Sequence, residues 1–351
     1  MTSAWTFDSL ANRVLFGQGQ IERASSELAA LGARRCLVVA SPRMLARIPE
    51  LIEAMGDQVV GQFTDIVAHC PIETVDAALA AAREVQADGI FTLGGGSAIG
   101  VAKNLRVRAG LVSVVAPTTY SGAEMTPIYG AKVGHEKKTS RDPAAKPQTV
   151  IYDPNLTLTL GAVETAQTGM NGLAHCIEAL YPESADPVSR LLAIQGVEAF
   201  FDGLPASCAR PSDLSGRSRA LYGGFIGGLM VQWVGIRLHH RICHILGGRH
   251  DLAHGVSNSV ILPYVADYNA SPILDAAPEL AQRLRGGPGH ALRELAMSIG
   301  APTDLRSQGI AFEALPAIAE ETLKAPLFNP RPIDGAALLS LLERAWQGDP
   351  L

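Results

Sequence analysis

Aromatic residues make up only 5% of this 351-residue chain, and charged residues only 18%. With 47% apolar residues against so little charge, a disordered chain is excluded and a large core is possible. An excess of one charge sign is also lacking. Twenty-nine basic residues stand against 34 acidic ones, for a net charge of −5. With no arginine-rich run or basic stripe, neither nucleic acid nor an anionic membrane is expected as a partner. Long hydrophobic runs are missing too. The longest uncharged apolar stretch, Leu221–Ile236, holds sixteen residues, five of them glycine. That is too short for a comfortable membrane span and reads as a buried helix in close contact with its neighbours. The opening Met1-Thr2-Ser3-Ala4-Trp5-Thr6-Phe7-Asp8 has no charged start followed by an apolar stretch, so no signal peptide is expected. Five cysteines (Cys36, Cys70, Cys176, Cys208, Cys243) are scattered without paired spacing. They exclude a disulfide framework and point to a reducing cytoplasm. Cys176 and Cys243 adjoin histidine motifs and read as small core residues.

What is present suggests two domains, since 351 residues exceed one typical domain. The first 150 residues alternate strand-like with helix-like stretches. Strands are expected at Cys36–Ala40, Gly61–Asp65, Gly89–Leu93, Leu111–Val115 and Thr149–Tyr152, and helices at Thr74–Val85 and Ala98–Val107. Repetition of strand, helix, strand predicts a Rossmann-like parallel sheet with helices on its faces. Beyond Pro154 strand signals vanish. Helices are expected at Thr165–Leu180, Pro187–Phe201, Ser215–Gly228, Gly235–Leu246, Gly289–Ile299 and Gly335–Trp346. The reading is an α/β domain over 1–155 and an all-helical domain over 156–351, with the functional cleft between them.

Histidine is concentrated in the second half. Five of the nine histidines (His239, His240, His244, His250, His254) fall within sixteen residues. His240 and His244 are four apart, as are Asn171 and His175, so each pair lies on one face of its helix. Such density suits a metal site or acid–base chemistry, because imidazole serves both. Asn171 divides the two. It stands where a carboxylate would complete a metal site, and a neutral amide is a weak ligand that brings no charge to a divalent cation.

In the first half, Gly94-Gly95-Gly96-Ser97 follows a strand and opens a helix. Residues without side chains let backbone N–H groups approach phosphates, and the helix N-terminus adds partial positive charge. Thr118, Thr119 and Ser121 after the next strand supply hydroxyls of the kind a dinucleotide crevice uses. Ser41 ends the first clear strand, where an acid would bind the adenosine ribose, and Arg43 lies two residues on. NADH and NADPH both remain open.

Taken with Pro117-Thr-Thr-Tyr-Ser-Gly122, Asp153-Pro154, Gly169-Met-Asn-Gly-Leu-Ala-His175 and His240-x3-His244-x9-His254-Gly255, the chain resembles the iron-containing alcohol dehydrogenase superfamily. Glu124-Met-Thr-Pro127, Lys137-Lys138-Thr139, Arg141-Asp142-Pro143, Leu238-His-His-Arg-Ile-Cys-His244 and Asn329-Pro-Arg-Pro332 are closer to its maleylacetate reductase branch. The resemblance implies a nucleotide-binding α/β domain, a helical domain and a homodimer. It also implies NADH- or NADPH-dependent reduction of maleylacetate, a dicarboxylate, to 3-oxoadipate in aromatic-compound degradation. In metal-dependent relatives one Asp and three His bind Fe or Zn, and the matching positions here are Asn171, His175, His240 and His254. Asn at the first of these is familiar in the reductase branch and argues against the metal. His244 matches a further histidine near the nicotinamide. Leu160-Gly-Ala-Val-Glu164 lacks the family's usual proline, and His254-Gly-Val-Ser-Asn-Ser259 is nearer the general alcohol dehydrogenase pattern.

In a metal-free reduction, His175, His240, His244 and His254 would share acid–base work, with His244 the proton donor. Lys138 or Arg237 would pair with a substrate carboxylate. Two other readings stay open: a metal-dependent alcohol or polyol dehydrogenase, and a nucleotide-binding homologue without catalysis.

Overall fold

The computed structural model describes residues 7, 9–134, 136–181 and 186–351. Contacts divide them into two compact units, Ser9–Thr159 and Leu160–Leu351, the latter joined by Phe7, whose ring meets Trp233 edge-on at 4.6 Å.

The first unit contains β1 (Arg13–Phe16), α1 (Ala24–Ala30), β2 (Cys36–Ala40), β3 (Val59–Phe63), α2 (Ile72–Glu84), β4 (Gly89–Gly94), α3 (Gly96–Ala109), β5 (Val112–Pro117), β6 (Ile128–Val133), β7 (Glu136–Arg141) and β8 (Thr149–Tyr152). Six strands form one parallel sheet in the order β1-β8-β5-β4-β2-β3. β2 and β4 are buried along their whole length, which is why they read as continuous apolar runs rather than as alternation. Successive side chains nonetheless enter opposite cores. Val38, Phe91, Leu93, Val114 and Ile151 pack with Leu28 of α1 on one face. Leu37, Val39 and Ile90 pack with Val75 and Leu79 of α2 and Val101 and Leu105 of α3 on the other.

Several bounds differ from expectation. β3 begins two residues earlier than read, and α3 begins at Gly96 rather than Ala98, because Gly95 is the N-cap and the glycines themselves start the helix. β1 and the antiparallel hairpin β6–β7 were not expected.

The second unit holds α4 (Ala162–Glu178), α5 (Pro187–Ala209), α6 (Leu214–Trp233), α7 (Leu238–His250), α8 (His254–Tyr268), a short helix at Ala270–Ala276, α9 (Pro288–Ser298), α10 (Leu315–Leu323) and α11 (Gly335–Gln347). No strand occurs among its described residues. The glycine-rich run forms most of α6 and is packed as closely as its composition suggests. A Cβ on Gly227 would lie 2.7 Å from the Gly172 carbonyl oxygen, so α6 touches the backbone of α4 beside Asn171. Likewise a Cβ on Gly255 would collide with Gln167, which fixes the start of α8 against α4. α8 was not expected; it contains Pro263. α7, α8, α10 and α11 share a core of Leu238, Ile242, Leu246, Ile261, Ile318 and Leu342. None of the described helices is long and apolar enough to cross a membrane.

Candidate active site

Three elements of the helical unit converge. α4 carries Asn171, His175 and Glu178 on one face, four and then three residues apart. α7 carries His239, His240 and His244, and α8 opens with His254. The His175 and His240 rings stack at 3.9 Å with planes only 5° apart. His254 lies 6.3 Å from His240 and 5.7 Å from His244, and His244 lies 6.4 Å from His240. Asn171, His175, His240 and His254 thus stand together, with His244 beside them. His175 and His240 are buried, whereas His244 and His254 are exposed. His239 is turned away: its Nε2 meets Asn258 Oδ1 at 2.7 Å, and Cys243 Sγ is its neighbour at 3.6 Å. Cys176 and Cys243 are free, buried thiols pushed upward in pKa by desolvation, so neither offers a thiolate.

Glu178 was missed by the sequence reading. Its Oε2 is 2.7 Å from His240 Nδ1, and it accepts the backbone N–H groups of Arg237 at 3.1 Å and His240 at 3.4 Å. Burial raises the pKa of this carboxyl, while nearby His239 and the two N–H bonds pull it back. Burial, then the neighbouring imidazoles, hold His175 and His240 well below the ordinary histidine range. The Glu178–His240 contact is a short hydrogen bond shut away from water. It orients Nδ1 and aims Nε2 at Asn171 Oδ1, 3.3 Å away. An asparagine amide offers both donor and acceptor, so it can satisfy Nε2 in either tautomer. His175 Nδ1 is buried without a hydrogen-bond partner, the kind of unmet group that marks a working site.

The donors fit a divalent ion poorly. Imidazole lone pairs lie in the ring plane, so two rings stacked 5° from parallel direct them along lines that do not converge. Asn171, His175, His240 and His254 bring no negative charge. His175, Glu178 and His240 each present a ligand-type atom within 4.8 Å of the others, but the Glu178 carboxylate is already occupied by His240 Nδ1 and two backbone N–H groups.

In the α/β unit the glycine loop sits at the carboxyl ends of three neighbouring strands. Ala40 pairs with Leu93 and Gly94 with Pro117, so Ser41, Gly95-Gly96-Ser97 and Thr118–Ser121 follow β2, β4 and β5 side by side. Thr118 N–H donates to the Gly94 carbonyl at 3.1 Å. A Cβ on Gly95 would come within 2.9 Å of Thr119 Cγ2, whereas Gly96 faces open space. The 14-residue helix α3 begins there with no side-chain cap, leaving its first N–H groups for an anion. Ser121 Oγ is buried and without a partner. Arg43 is exposed and donates to the Thr159 carbonyl at 3.2 Å.

Of the two cations read as carboxylate partners, Arg237 is the N-cap of α7, three residues before His240. Lys138 lies exposed on β7 of the α/β unit.

Two family models match this chain. One, described as iron-containing alcohol dehydrogenase, covers residues 11–154, and the other, the C-terminal part of the Fe-containing alcohol dehydrogenase family, covers 165–346. A maleylacetate reductase of Sphingobium indicum is 39% identical over 347 residues, 99% of this chain and 98% of that protein. The crystal structure of maleylacetate reductase from Agrobacterium tumefaciens superposes with a TM-score of 0.94 at 35% identity, covering 99% of both chains. That of the Rhizobium sp. strain MTP-10005 enzyme gives 0.93 at 36% identity, again over 99% of both.

Proposed function

The chain belongs to the iron-containing alcohol dehydrogenase family, a family of oxidoreductases, and within it we propose that this protein reduces maleylacetate to 3-oxoadipate with NADH or NADPH. Full-length similarity to maleylacetate reductases supports the substrate. The observation that carries the reading is Asn171 paired to the buried His240 where a carboxylate would complete a metal site.

Ser41, Gly94, Gly95, Gly96, Ser97, Thr118, Thr119 and Ser121 hold the nucleotide, its pyrophosphate against the start of α3. Hydride from the nicotinamide adds to the alkene carbon β to the substrate ketone. The electron pair of the double bond moves onto the ketone oxygen as an enolate, and a proton then reaches the carbon α to the ketone. One NAD(P)H and one proton are consumed, and NAD(P)⁺ is released. Burial divides the histidines between these tasks. His175, desolvated and stacked on His240, is suited to donating an N–H to the enolate oxygen, while His240, held by Glu178, fixes the orientation of the pair. His244 and His254 are exposed and exchange protons with water, and His244 delivers the proton. Arg237 takes a substrate carboxylate. We further propose a homodimer in the cytoplasm, on the family resemblance and the free cysteines.

The test follows the isotope. With NADH deuterated at C4, the label should appear in 3-oxoadipate on the carbon β to the ketone. Label on a carbinol carbon would mean carbonyl reduction and would overturn the reading in favour of an alcohol dehydrogenase.

A further inference from the structure

Between α10 and α11 the chain runs from Lys324 to Asp334 without regular structure, yet it is fastened at many points. Asn329 and Asn269 form a reciprocal amide pair, with Nδ2–Oδ1 distances of 2.8 and 2.9 Å. Asn269 is fully buried at the end of α8, and its Nδ2 also donates to Tyr181 Oη at 3.1 Å. Asn329 Nδ2 donates to the Arg331 carbonyl at 2.6 Å. Tyr268 Oη donates to the Pro332 carbonyl, and the Arg331 guanidinium lies 4.2 Å from the centre of the Tyr268 ring while Nη1 donates to the Tyr268 carbonyl. A surface connection of this kind is ordinarily mobile. Here the side-chain bonds and three prolines, Pro326, Pro330 and Pro332, hold it to one shape.

That shape presents Phe328. Phe328 is 37% exposed. It lies under the Arg237 guanidinium, 5.0 Å from Cζ to the ring centre. Arg237 is half-buried. Its Nη1 reaches the Ile236 carbonyl at 3.4 Å, but its Nε is buried with no acceptor. The Nε/Nη2 edge of a guanidinium is a fork that matches a carboxylate. An aromatic face beneath holds the plane of that fork without using any of its donors.

We propose that Phe328, fixed by the Asn269–Asn329 amide pair, positions Arg237 to grip a carboxylate of the substrate and so selects diacids over monoacids. The proposal rests on the reduction proposed above and explains what a merely structural clamp leaves over: the unmet Arg237 Nε and the exposed ring. Phe328 is a positioning residue, acting only through Arg237.

Phe328→Ala should raise KM for maleylacetate about fivefold to tenfold, from loss of a partly desolvated cation–π contact. Its kcat should stay within about twofold, because the histidines are untouched. Affinity for NADH, read by fluorescence quenching, should not move. Phe328→Tyr should restore KM. Inhibition by glutarate should weaken in Phe328→Ala, whereas inhibition by butyrate should not. In an Arg237→Gln background, Phe328→Ala should add nothing further to KM. An unchanged KM in Phe328→Ala, or the same rise with and without Arg237, overturns the inference alone. Wild-type protein inert toward maleylacetate overturns the function and the inference together.

Discussion

Both units of this molecule bury polar side chains, but they satisfy them differently. In the α/β unit Lys103 and Asn104 serve chiefly the backbone. Lys103 Nζ donates to the carbonyls of Ala123 and Ile128 and to Thr126 Oγ1, and Asn104 Nδ2 donates to the carbonyls of Gly100 and Gly130. These bonds tie α3 to the segment after β5 and to the hairpin, the surroundings of the glycine loop. At the histidine cluster of the helical unit the buried groups serve one another. Glu178 holds His240, His240 faces Asn171 and stacks on His175, and His175 Nδ1 is left unmet. A polar group bound to backbone is scaffold. A set of ionisable groups bound to each other, with one valence unfilled, is poised for chemistry.

The contrast is breakable, and the largest effect should come from the helical unit. His244→Ala should lower kcat by about 10²–10⁴, the usual worth of a general acid, with KM little changed. Retained turnover in steady-state kinetics would remove His244 from its role. Lys103→Met should act on the other property. It removes three hydrogen bonds donated by one buried ammonium, so unfolding free energy should fall by about 3 kcal/mol in urea titrations. The kcat of the protein still folded should hold. A kcat that falls with stability unchanged would move Lys103 out of the scaffold.

Smaller effects should follow in the nucleotide loop. Gly95→Val pushes a side chain against Thr119, and the dissociation constant for NADH should rise by about tenfold, or 1.4 kcal/mol. Equal affinity would mean that the nucleotide does not approach this turn. The smallest is expected at Glu124, whose Oε1 accepts from Tyr152 Oη at 2.6 Å while Oε2 is buried without a partner. Burial raises its pKa above the ordinary 4.5, so the folded state binds this proton more tightly than the unfolded chain. Its cost is therefore absent below pH 4.5 and grows as pH rises through the folded value. Glu124→Gln should melt increasingly above wild type between pH 4 and 7, with kcat unaltered. A gap that closes with rising pH would reverse the sign.

Much of this was legible in the sequence for physical reasons. Parallel strands buried on both faces read as apolar runs, so β2, β4 and β8 stood out. The edge strand β1 is four residues long and half-exposed, and β7 carries Lys137, Lys138 and Arg141, so neither carried that signal. α8 was hidden because it opens on His-Gly and holds Ser-Asn-Ser and Pro263, yet packing against α4 and α11 overrides those preferences. At the site, the i,i+4 spacing of Asn171 with His175 and of His240 with His244 announced two helix faces. Glu178 escaped because one acid in an apolar helix end resembles a surface charge. Its spacing of seven from Asn171 was the available clue. The Asn269–Asn329 pair joins positions sixty residues apart, and no local pattern could report it.

The central claim is that the histidine cluster reduces an activated alkene without a metal. The direct measurement is the rate of NADH and NADPH oxidation by maleylacetate after exhaustive chelation, with and without added Zn²⁺ or Fe²⁺. The account predicts full turnover after chelation and no gain from either ion. Turnover that disappears with chelation and returns with metal would contradict it, and would make Asn171 a working ligand.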